Sequence, residues 1–218
     1  MPPIDFEAAR FLMIEQQVRP WEVLDPVVLD TLGRLQREDF VPLKQRKLAY
    51  ADVALPLEHG QHMMKPVVEG RMLQSLELAD GDEVLEIGTG SAYITACLAH
   101  LARAVISIDV HAEFTERGRT RLSELGMNNV RLETADAFAF EPGKQFDAIC
   151  VTGAVAEVPE RFLAWVKPGG RMFIVHGTAP VQEAVRLLRT DAGWEEQSLF
   201  ETELTHLAGS EPVQRFAL

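Results

Sequence analysis

Residues 84–93 read "VLEIGTGSAY". A short apolar run of buried-strand type, "EVLEIG" (83–88), passes straight into Gly88-Thr89-Gly90. A helical pattern, "SAYITACLAHLA" (91–102), follows. Glycines at such a turn let the backbone reverse sharply and approach a ligand with no Cβ in the way. The downstream pattern repeats the theme. "AVISIDV" (104–110), "VRLETAD" (130–136), "FDAICVTG" (146–153) and "GGRMFIVHG" (169–177) read as strands. "AEFTERGRTRLSELG" (112–126), with Gly126 as its stop, and "VPERFLAWV" (158–166) read as helices. Strands alternating with helices imply an α/β fold, a mostly parallel sheet with helices on both faces. "WEEQSLFETELTHL" (194–207) and "PVQRFAL" (212–218) read as two more strands with no helix between them, so the last strand is expected to be antiparallel and the sheet seven-stranded.

Two details narrow the ligand. A dinucleotide fingerprint places a small residue three positions after the second glycine. That position holds Tyr93, and no Lys-Ser/Thr pair makes a phosphate loop. The ligand is expected to carry no phosphates, which disfavours NAD. Asp109 ends the second strand, 21 residues after Gly88, where a carboxylate can accept both hydroxyls of a ribose. Asp136 ends the third, where it can read an adenine amino group. Glu86 points from the first strand end, as a ligand-shaping acid or one bonded to loop amides. A ribose, an adenine and no phosphate fit S-adenosyl-L-methionine, with S-adenosyl-L-homocysteine as product.

Upstream of residue 81 the pattern is helical. "DFEAARFLMIEQQV" (5–18) places Phe6, Ala9, Leu12 and Met13 on one face, with Asp5 as cap and Arg19-Pro20 as its end. "DPVVLDTLGRLQ" (25–36) has Asp25 as cap and Pro26 at the first helical position. "VVEGRMLQSLEL" (67–78) is a third amphipathic helix. Residues 1–80 are expected to form an N-terminal helical extension with a substrate loop, packed on a cofactor domain of residues 81–218 as one compact unit. Within that loop, Gly60 and Pro66 of "LEHGQHMMKPVV" (57–68) argue against regular structure.

Composition sets the partners. The 218 residues carry a net charge of −12, which repels phosphate backbones, so no nucleic-acid partner is expected. No apolar run reaches the ~20 residues of a membrane span. Cys97 and Cys150, both in apolar runs, are expected to be buried thiols in a reducing compartment. The six histidines show no metal-ligand spacing. A cytoplasmic protein without a metal is expected, and nothing in the pattern fixes an oligomeric state.

The motifs together resemble a known family. "VLEIGTGSAYITACLA", "VISID", "FDAICVTGAVAEVP" and "KPGGRMFIV" are similar to the Rossmann-like class I S-adenosylmethionine-dependent methyltransferases. "MIEQQVRP", "REDFVP", "AYADVALPLEHGQ" and "VQRFAL" resemble, more narrowly, the protein-L-isoaspartate O-methyltransferases. The resemblance implies protein repair: methylation of the free carboxylate of an isoaspartyl residue, whose ester closes to a succinimide that reopens partly to aspartate. It implies cofactor contacts from Glu86, Gly88, Thr89, Gly90, Asp109, Val110, Asp136 and Ala137. It also implies that the segment after Gly60, including Gln61, His62 and Met64, holds the substrate. The family runs Gly-Gln-Thr-Ile-Ser, one variable residue, Pro; here Gly60-Gln61-His62-Met63-Met64-Lys65-Pro66 puts a thioether where the family has a hydroxyl. Ala92 likewise stands where glycine is usual. The acceptor is then an isoaspartyl peptide or protein, or a changed acceptor such as a small carboxylate, with His62 or Lys65 able to take over the lost contact. The alternative is a non-catalytic S-adenosylmethionine-binding regulatory or scaffold protein.

Overall fold

The computed structural model describes residues 4–211. Helix α1 (Phe6–Met13) is capped by Asp5, whose carboxylate accepts the Ala8 N–H at 3.0 Å. It does not stop at Arg19-Pro20. A π turn (Ile14–Val18) and a 3-10 turn (Arg19–Trp21) carry it on. Met13, Ile14 and Val18 are buried along this run, while Leu12 is exposed. Helix α2 (Pro26–Arg34) starts on the Asp25 cap as its sequence predicts.

The stretch 57–68 is more ordered than its glycine and proline suggest. Strands β1 (Leu55–Pro56) and β2 (His62–Met63) pair antiparallel around a turn in which His59 and Gly60 have φ of 58° and 68°. Pro66 opens helix α3 (Pro66–Ser75) from its first position, where its missing N–H costs nothing.

The core follows as read: β3 (Glu83–Ile87), α4 (Tyr93–Leu101), β4 (Ala104–Asp109), α5 (Ala112–Glu124), β5 (Val130–Thr134), β6 (Phe146–Val155), α6 (Glu160–Ala164) and β7 (Val166–Thr178). Gly126 ends α5 with φ of 71°. Then comes β8 (Val181–Thr190), absent from the sequence reading, and β9 (Gly193–Thr202). The order in the seven-stranded sheet is β5-β4-β3-β6-β7-β8-β9. Pairings are parallel from β5 to β7 and antiparallel from β7 to β9. The second strand of the antiparallel end is thus β8; "PVQRFAL" lies outside the described residues.

Alternation along each strand sorts side chains between two hydrophobic clusters. Val84, Ala148 and Cys150 face one; Leu85, Ile87, Ile149 and Val151 face the other. The first is covered by α1 to α5, the second by α6 through Phe162. Among the described residues no helix is long and apolar enough to cross a membrane.

Candidate active site

The chain leaves β3 for a helix on one face and re-enters beside it as β6 after crossing to the other. A crevice therefore opens between the carboxyl ends of these strands, the usual ligand position in such a sheet. The glycine turn lies there. Gly88 has φ of 100°, and a Cβ on it would sit 2.3 Å from the Thr152 hydroxyl oxygen of β6. That hydroxyl donates to the Gly88 carbonyl at 2.6 Å and pins the turn. Gly90, with φ of 48°, donates its N–H to Asp109 Oδ2 at 2.9 Å. Asp109 Oδ1 accepts the His111 N–H at 2.9 Å. The acid at the tip of β4 thus joins the glycine turn to the start of α5.

Gly88, Gly90, Asp109, Val110, Asp136 and Ala137 all line one cavity here, with Gln61 and His62 at its mouth. Asp136 stays exposed, its Oδ1 accepting the Phe138 N–H at 2.8 Å. Ile87, Ile108, Phe114 and Phe138 supply apolar walls, and the lining contains two carboxylates and no lysine or arginine. A di- or triphosphate would meet acids with no cation to offset them. A ribose, a flat base and a sulfonium fit the donor set.

Two candidate cofactor residues are not brought to the cavity. Strand alternation puts Glu86 on the face opposite Ile87, where it is fully buried against α4 and accepts the Thr95 hydroxyl at 2.5 Å. Thr89 is buried with its hydroxyl 2.6 Å from that of Ser107. Sequence reading had missed Thr152, Phe114, Phe138 and Leu207. Thr152 carried a signal, as the polar residue that closes the apolar run Ala148–Val151.

Burial pushes the Glu86 carboxyl up to about 8, with partial offsets from Ser107 and Thr95 and a further push from Asp109. The folded state then keeps a proton that the unfolded chain releases near pH ~4.3. Stability is unaffected below that value. It falls as pH rises from there to about 8, by up to ~1.4 kcal/mol per unit. Glu86→Gln should remove this component. Urea unfolding at pH 5 to 9 checks it, and an identical pH slope in both proteins would refute it.

Beside the cavity runs a larger open groove, floored by Met63, Met64, Val67 and Val68 and walled by Asp52, Glu201 and Glu203. Gln61, His62 and Thr152 line both spaces. Met64 is buried, and its carbonyl accepts the Arg37 guanidinium at 2.6 Å. Arg37 is itself fully buried. It donates to both Glu69 oxygens, at 2.9 and 3.0 Å, and to the Ala49 carbonyl. Burial alone would lower its pKa; the Glu69 carboxylate reverses that, so Arg37 remains charged. At the cavity rim the loop is strapped to α5. His59 stacks on His111 at 3.9 Å, and Glu58 pairs with Arg117 at 2.8 and 2.9 Å. The Arg117 hydrogen bonds hold the Glu58 carboxyl down to about 2.

The family model for protein-L-isoaspartate(D-aspartate) O-methyltransferase matches residues 11–206. The chain belongs to this family. A protein-L-isoaspartate O-methyltransferase of Petrotoga mobilis is 36% identical over 192 residues, covering 87% of this chain and 90% of the relative. One from Methylorubrum populi is 39% identical over 184 residues, covering 84% and 86%. Among solved structures, a protein-L-isoaspartate O-methyltransferase of Plasmodium falciparum in complex with S-adenosyl-L-homocysteine superposes with a TM-score of 0.78. It covers 94% of this chain and 99% of its own at 17% identity, a likeness of fold. Membership of an O-methyltransferase family makes an S-adenosylmethionine-dependent methyltransferase the supported reading and disfavours the non-catalytic alternative.

Proposed function

We propose that the chain transfers the methyl group of S-adenosylmethionine to the free carboxylate of isoaspartyl residues in peptides and proteins. The observation that carries this reading is the meeting of two spaces at Gln61, His62 and Thr152: a phosphate-free nucleoside cavity on one side and a groove open to a chain on the other. When bound, the cofactor supplies a methyl group on a sulfonium, which a carboxylate attacks without first losing a proton. The protein's work is therefore positioning. Asp109 and Asp136 are assigned to ribose and adenine, Val110 and Ala137 to the adenine slot, and the glycine turn to the methionine part. Glu86 and Thr89 are assigned to shaping that turn from behind. The buried free thiols of Cys97 and Cys150 suit the cytoplasm.

Met64 gives the acceptor no donor, so turnover of an isoaspartyl peptide is expected to be slow. Met64→Ser should raise the initial rate by supplying a hydroxyl beside the groove. Because Met64 is buried, the variant should also lose about 2 kcal/mol or more of stability. Rates of methyl transfer to an isoaspartyl peptide, with urea unfolding of both proteins, test this. Fast turnover by the wild type with no gain from serine would reduce Met64 to packing. Absence of transfer by either protein, with cofactor bound, would remove the isoaspartyl acceptor.

A further inference from the structure

Among the described residues the walls of the acceptor groove are acidic, with Asp52, Glu201, Glu203 and Glu211. A carboxylate entering it needs a donor close to the reacting methyl. Gln61, His62 and Thr152 are the residues that touch both the groove and the cofactor cavity. Thr152 has one hydroxyl proton, already directed at the carbonyls of Gly88 at 2.6 Å and Ile87 at 3.1 Å. Gln61 offers an amide, which both donates and accepts and so does not tell a carboxylate from a carboxamide. Lys65 lines the groove and not the cavity, and the Met64 thioether donates nothing.

His62 is different. Its ring is exposed, with Nδ1 3.1 Å from the Thr205 hydroxyl, a contact between residues 143 apart in sequence. Thr205 is fixed in turn, since its carbonyl accepts the Ala154 N–H of β6 at 2.9 Å. A hydroxyl can donate to Nδ1, so the contact accommodates the ring form whose hydrogen sits on Nε2, the form that can donate to a carboxylate. We propose that His62, oriented by Thr205, is the donor that selects a carboxylate as methyl acceptor in this chain. This rests on the carboxyl-transfer reading above and names the group that reads the acceptor. His62 is the specificity residue and Thr205 its positioning residue.

The test is equilibrium binding to the protein saturated with S-adenosylhomocysteine, which needs no turnover. An isoaspartyl peptide is compared with its isosteric twin carrying a carboxamide in place of the acceptor carboxylate. The ratio of the two affinities within each protein cancels any change in cofactor affinity or folding. The wild type should prefer the carboxylate roughly tenfold. His62→Leu should abolish the preference, Thr205→Val should weaken it, and Thr205→Ser should restore it. A merely structural His62 would shift both peptides equally. Equal ratios in wild type and His62→Leu overturn the assignment and leave the isoaspartyl reading standing. A carboxylate preference lost in His62→Leu, together with no methyl transfer, supports His62 and overturns that reading. Binding of neither peptide overturns both.

Discussion

Arg37→Met should lower the unfolding free energy by about 3–5 kcal/mol, the usual cost of leaving one member of a buried ion pair alone. The pair is fully enclosed, with side-chain exposures of 0% for Arg37 and 1% for Glu69. The same guanidinium carries the carbonyls of Ala49 and Met64, so two backbone acceptors lose their donor as well. The consequence reaches function because Met64 lines the groove proposed to take the acceptor. Replacing both partners, as Arg37→Met with Glu69→Met, should recover most of the lost stability, since no uncompensated charge remains. It should not restore the hold on the loop. Hydrogen exchange at residues 62–64 should therefore stay accelerated in the double variant. Full recovery of both stability and loop protection would show that Arg37 is an internal counter-ion and nothing more.

Asp109→Ala should weaken S-adenosylhomocysteine binding tenfold to a hundredfold. A hydrogen bond to a charged group contributes ~1.5–3 kcal/mol, which converts to that range. Two effects act together: the ribose hydroxyls lose a charged acceptor, and the glycine turn loses the contact from the Gly90 N–H. The residue is the last of β4, and its hydrogen bonds go to the Gly90 and His111 N–H groups rather than to the apolar core, so the fold should survive. Calorimetry on the folded variant checks this. An unchanged dissociation constant would place the ribose elsewhere.

The central half of the sheet was legible because strand and helix signals alternate cleanly there. The strand "EVLEIG", its glycine turn and Asp109 at the end of "VISID" each carry a local signature. The strand β8 was not legible. Its "VQEAVRLLRT" spaces apolar and charged residues in a way that suits a helix as well as a strand. It becomes a strand because β7 and β9 both pair with it, with Ala184 buried in one hydrophobic cluster and Val185 and Leu187 in the other. The π turn at Ile14–Val18, with both of those residues buried, carried no local sign either. At the site, Glu86 belongs to the strand-end motif by sequence, but alternation turns it away from the cavity that Ile87 faces. The Arg37–Glu69 pair had no local sign at all. Its members are 32 residues apart, and charged residues are expected on the surface. Thr205 meets His62 across 143 residues of sequence, a contact that a linear pattern does not encode.

The most direct measurement is methyl transfer from labelled S-adenosylmethionine to an isoaspartyl peptide and to the same peptide with an ordinary aspartyl linkage. The label is then released as methanol by mild base, which distinguishes a carboxyl ester from methylation at nitrogen or sulfur. The account predicts slow, base-labile labelling of the isoaspartyl peptide and none of the aspartyl one. Base-stable label, or cofactor bound tightly with no label in either peptide, would contradict it.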